Sequence, residues 1–150
     1  MKFGWINGFG AGIVALLLIP NIVYAIKHKG EKNLCTNKLM NALEQVGRYA
    51  CIVMMWLPLL VWELGFPGEV EMLLYLAGNA ALLIAYWIVF ARYFKEKSAE
   101  QALVLAILPA CVFLLSGLTL RHWLLAAFAV VFAIGHIYVT QKNADVKQQQ

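Results

Sequence analysis

With 150 residues, 63% of them hydrophobic and only 13% charged, and a mean hydropathy of +0.74, the chain departs from the roughly 45–50% apolar, about 25% charged make-up of soluble domains. That composition excludes a soluble globular domain, a disordered chain and a disulfide-stapled secreted module, and points to an integral membrane protein. The formal charge of +4 reads as membrane orientation rather than nucleic-acid affinity, because the basic residues concentrate in particular loops.

Five apolar runs of about bilayer length follow one another. The first spans about residues 3–26, between Lys2 and Lys27. Its Val23-Tyr24-Ala25 resembles a signal-peptide cleavage pattern, but cleavage would leave a basic segment on the outer side, so the span is expected to be retained. A short interfacial helix is expected at about 36–48, where Leu39, Met40, Leu43 and Val46 recur at helical spacing and Thr36 or Asn37 can cap. Its Lys38 and Arg48 suit anionic headgroups, and Glu44 and Arg48 stand four apart, able to pair. The second span follows at about 49–66, interrupted by Pro58 and closed by Glu63. The third is expected at about 72–91, the fourth at about 101–120 and the fifth at about 123–140, with a polar, disordered tail over 141–150. The fold class is therefore all-α, a polytopic transmembrane bundle forming a single domain.

Lys27, Lys29, Lys32, Lys38 and Arg48, then Arg92, Lys95 and Lys97, then Lys142 and Lys147 fall on one side; only Lys2 and Arg121 fall on the other. This asymmetry places the N-terminus outside and the C-terminus in the cytoplasm of a bacterial inner membrane. The aromatics agree without using charge: Trp5, Trp62, Phe66 and Trp123 cluster near one boundary, Tyr24, Tyr49, Tyr93 and Tyr138 near the other.

Gly4, Gly8 and Gly12 repeat every four residues. They are expected to form a small-residue stripe for close helix packing, mostly within the bundle. Pro20, Pro58 and Pro109 are expected to kink their helices. Polar groups inside spans are expensive and therefore candidates for function. They are Glu63, Asn79, His136 and Asn21, with Arg121 at the fourth-to-fifth turn. Asn21 and His136 lie at equal depth, which suggests a bond between them; Glu63 and Arg121 fall near one boundary and are able to pair or to reach the interface separately.

The chain lacks the parts of the common catalytic sites. His122 and His136 are fourteen residues apart on one helix, about 21 Å along its axis, too far to clamp one haem iron. No HExxH, Gly-x-Ser-x-Gly or P-loop pattern appears. Cys35, Cys51 and Cys111 form no CxxC pair and read as small hydrophobes. No catalytic residue, cofactor or metal is expected.

The run from Asn37 to Tyr49, with Leu18-Ile19-Pro20-Asn21 before a basic loop and Gly135-His136 in the last span, resembles a group of small five-helix bacterial integral membrane proteins. The resemblance implies a compact bundle over most of the chain and carries no site residue. The function expected is that of a small transporter or transporter subunit; the alternative is a non-catalytic factor binding a larger membrane protein or lipid. Expected partners are the bilayer and a second copy or a larger membrane protein, with no nucleic acid.

Overall fold

Short polar side chains set where the helices begin. In the computed structural model, which describes residues 6–29, 33–57, 59, 61 and 65–148 apart from the Gln148 side chain, five helices form: α1 (Gly8–Lys27), α2 (Lys38–Trp56), α3 (Glu69–Tyr93), α4 (Ala99–Thr119) and α5 (Trp123–Gln148). The Asn7, Asn37 and Ser98 side chains each accept a backbone N–H from the first turn of α1, α2 and α4, satisfying donors that have no partner within the helix. Glu69 and Glu71 open α3 and Arg92 closes it, a charge order that complements the helix dipole.

Four of the helices, α1, α3, α4 and α5, are long and apolar enough to cross a membrane. The fifth, α2, is not among them, which corrects the expectation of five spans. The expected interfacial helix and second span are one continuous helix that carries Lys38, Glu44 and Arg48 and ends at Trp56. Leu57 turns extended, at φ −104° and ψ 123°, as the residue before a proline is biased to do. Pro58, Glu63 and Gly4 lie outside the described residues.

Neighbouring residues give the direction of each helix. Asn7 meets Tyr75, and Asn21 meets Tyr86, so α1 and α3 run parallel. Asn7 also meets Met55 and Trp56 at the far end of α2, so α2 returns antiparallel to α1. Asn79 pairs with Ser116, and Gly117 approaches Ala126, continuing the alternation through α4 and α5. The helices α2 and α4 pack most extensively on α5. One end of the bundle gathers Lys27, Lys38, Arg92 and Lys147; Glu69 and Arg121 lie at the other.

Close packing relies on glycines other than the expected stripe. A Cβ at Gly8 or Gly12 would meet nothing within 4 Å, so neither packs a neighbour within the bundle. Gly10 instead lies against the Met55 carbonyl. Between α2 and α5 the approach is reciprocal: a Cβ on Gly47 would stand 2.7 Å from the Phe132 backbone, and one on Gly135 would stand 2.5 Å from the Glu44 backbone.

One further expectation is revised. The tail continues as helix to Gln148, because the Asn143 side chain accepts the Leu34 and Cys35 amides at 2.7 and 3.1 Å and holds the segment before α2. Pro20 and Pro109 sit inside α1 and α4.

Candidate functional site

The buried face of α2 is Glu44, Gly47, Cys51 and Met55, a helical repeat of three and four residues in which one position is a carboxylate. The close approach at Gly47 and Gly135 brings that carboxylate against α5. Glu44 is only 5% exposed. Its Oε1 accepts the guanidinium of Arg48 one turn along and Nδ1 of His136 at 2.9 Å. Burial of a carboxylate is tolerated when such partners are present. The His136 ring stacks on Phe132, with centroids 4.8 Å apart and planes 16° apart. An ionised carboxylate only accepts, so toward such a Glu44 it is Nδ1 that donates.

Arg48 and His136 line a cavity of about 120 Å³ that Asn21 and Tyr86 enter from α1 and α3. Asn21 donates to the Tyr86 hydroxyl oxygen at 2.6 Å and to the Leu17 carbonyl at 2.7 Å. Both amide hydrogens are thereby used, leaving its Oδ1 as an acceptor. The hydroxyl hydrogen of Tyr86 has no acceptor among the described residues. The remaining wall is apolar: Val14, Leu17, Leu18, Ile52, Pro109, Phe113 and Phe132. The arrangement suits a small molecule with a polar head and little else.

Asn21 and His136 thus share one cavity, as equal depth suggests, but they bond to Tyr86 and Glu44 rather than to each other. Asn79 lies in a separate buried layer, donating to the Tyr75 carbonyl and to Ser116 Oγ at 2.8 and 3.1 Å, which ties α3 to α4. Arg121 is exposed and occupies φ 52°. It is the left-handed residue after α4, flanked by the bonds from Arg121 N to Leu118 O and His122 N to Gly117 O that close a helix end. Glu63, the sequence's first candidate, lies outside the described residues.

His122, fully buried beyond the end of α4, accepts the Leu125 amide on Nδ1 at 3.2 Å and directs Nε2 at the Leu59 carbonyl, 3.1 Å away. Each ring nitrogen is matched to a neutral imidazole with its hydrogen on Nε2. Burial holds its pKa below the ordinary 6.5, partly opposed by the Leu59 hydrogen bond.

Sequence reasoning reads Glu44 and Arg48 as a surface pair and passes over Tyr86. The signal for Glu44 is its place on the Gly47-Cys51-Met55 stripe, visible once 38–56 is read as one helix. Among the described residues no three His, Cys, Asp or Glu side chains gather as metal ligands. A second, more open cavity of about 350 Å³ at the basic end is lined by Tyr24, Tyr93, Lys97, Asn143 and Lys147, among others. No family model matches the chain, and no curated protein or solved structure matches it either.

Proposed function

We propose that this is a small multi-pass membrane protein that binds a small polar solute in the Arg48–His136–Asn21–Tyr86 cavity and passes it across the bilayer, alone or as a subunit of a larger carrier. One observation carries the reading: a buried carboxylate, Glu44, holds Arg48 and His136 at the wall of a cavity among membrane-length helices. Ionisable groups in such a setting are costly enough that solute or ion pathways are their usual context. The reading is non-enzymatic, with no cofactor or metal. The basic end faces the cytoplasm of a bacterial inner membrane, with the start of α1 on the opposite side.

Reconstitution into liposomes tests it. Stopped-flow swelling with small anions, ammonium, urea and glycerol is expected to show permeation of at least one solute above empty vesicles. Leu17→Trp, which fills the cavity, is expected to abolish that permeation. A chain that passes none of these solutes would sink the reading.

The second reading, an accessory factor for a larger membrane protein, is favoured by α1, whose Gly8 and Gly12 leave open space beside exposed Phe9 and Leu16. It predicts that Gly8→Leu removes a co-purifying membrane partner while Leu17→Trp leaves it bound.

A further inference from the structure

The charge balance of the cavity narrows what it can hold. An ionised Glu44 and Arg48 cancel, and with a neutral His136 ring, Nδ1–H toward Glu44, the cluster carries no net charge. Arg48 already gives one nitrogen to Glu44, and a guanidinium has further donors. The Tyr86 hydroxyl hydrogen is available. Pro109 and Phe113 also line the cavity, an apolar surface for a short stub. Resting on the solute-site reading above, we propose that the ligand is a short-chain monocarboxylate, bound together with one proton that settles on Nε2 of His136.

The reason is electrostatic. A monoanion entering a cluster with no net charge would stand uncompensated against a mostly apolar wall, which is unfavourable. One proton taken from bulk water onto Nε2 restores neutrality and turns an acceptor into a third donor beside Arg48 and Tyr86. The His136 ring need not turn, because Nδ1–H continues to donate to Glu44. Among the described residues, the charged or titratable groups at the cavity beside His136 are Arg48 from α2 and Tyr86 from α3, with Glu44 bonded to both Arg48 and His136. At the cavity α1 adds the uncharged Asn21, and α4 adds only Pro109 and Phe113. A cation would meet Arg48, and a dianion would need two protons where one ring nitrogen is open.

Calorimetric titration of the full chain in detergent with sodium propionate, between about pH 6 and pH 8 and in two buffers of different ionisation enthalpy, reads the proton directly. The expected result is saturable binding with proton uptake that approaches one per propionate as pH rises, affinity falling about tenfold per pH unit wherever uptake is close to one. His136→Gln keeps an amide donor for Glu44 but takes no proton; it is expected to abolish proton uptake and weaken binding by at least about tenfold. Tyr86→Phe is expected to weaken binding with uptake retained, and Leu76→Ala, outside the cavity, to change neither.

Binding without proton uptake, or undiminished binding to His136→Gln, would overturn the proposal. Should His136→Gln fail to fold, the proton count on the unaltered chain decides. If ammonium or urea binds, with loss on Leu17→Trp, while propionate does not, the monocarboxylate is wrong and the solute site stands. If no probe binds, both fall.

Discussion

The indole Nε1–H of Trp87 donates to the carbonyl oxygen of Leu16 at 3.1 Å, and Leu16 is the residue whose carbonyl Pro20 deprives of its intrahelical donor. An α3 side chain thus completes the hydrogen bonding of α1 at its proline. Trp87→Phe is expected to lower stability by about 1 kcal/mol, and to do so far less in a Pro20→Ala background, where the residue 20 amide returns. Thermal unfolding of the four proteins of this cycle in detergent measures the coupling. Additive effects would show that the indole bond contributes nothing at the proline.

The α2–α5 approach leaves no room for added atoms. Gly47→Ala and Gly135→Ala are each expected to destabilise by about 1–3 kcal/mol through overpacking, since each new methyl would meet backbone. Gly12→Ala, facing open space, is expected to be neutral or to stabilise by up to about 1 kcal/mol through helix propensity. Unfolding midpoints of the three variants check this ordering, and equal effects at Gly12 and Gly47 would contradict it.

Removing the Glu44 carboxylate alone leaves Arg48 and His136 facing an unpaired site. Glu44→Ala is expected to lower stability by about 1–3 kcal/mol, below the range for a fully buried ion pair because the Arg48 side chain is 37% exposed. The double variant Glu44→Leu/Arg48→Met is expected to recover much of the loss, because both charges leave together. A double variant as unstable as Glu44→Ala would mean the loss is one of packing.

Protonation of His122 is disfavoured in the folded chain. A histidine whose folded pKa lies below its ordinary 6.5 leaves the unfolded chain binding more protons between those two values, so its contribution is fully present above about pH 6.5 and is lost as pH falls. His122→Asn is therefore expected to reduce the drop in unfolding temperature between about pH 7 and pH 5. An identical drop in both proteins would remove His122 as the cause.

Arg121 holds a left-handed conformation, φ 52°, which glycine adopts without the penalty a Cβ incurs. Arg121→Gly is expected to raise stability by about 0.5–1 kcal/mol. A loss would show that the Arg121 side chain contributes more than its backbone strain costs.

Helix positions are largely legible in the sequence, because apolar runs, capping residues and basic loops mark them. The expected span at 101–120 meets α4 at Ala99–Thr119, and that at 72–91 lies within α3, Glu69–Tyr93. Facing is much less legible. In a helix where nearly every position is apolar, no period tells which side meets a neighbour. Depth therefore brings Asn21 and His136 to one cavity but assigns Asn21 the wrong partner. The glycine stripe fails for the same reason: spacing shows that Gly8 and Gly12 share a face, and packing puts Gly10 inside instead. In α2 the pattern was informative, but dividing the helix at Arg48 hides that Glu44 continues the face of Gly47, Cys51 and Met55.

Seven residues after His136 along the same helix, Asn143 grips the amides of Leu34 and Cys35, just ahead of the helix that bears Glu44. The C-terminal extension and the polar cluster are consequently two rungs of one ladder between α2 and α5. A truncation before Asn143 would leave the Leu34 and Cys35 amides without that acceptor. The Leu34–Cys35 clamp thus stands about 10 Å along α5 from the His136 wall of the cavity.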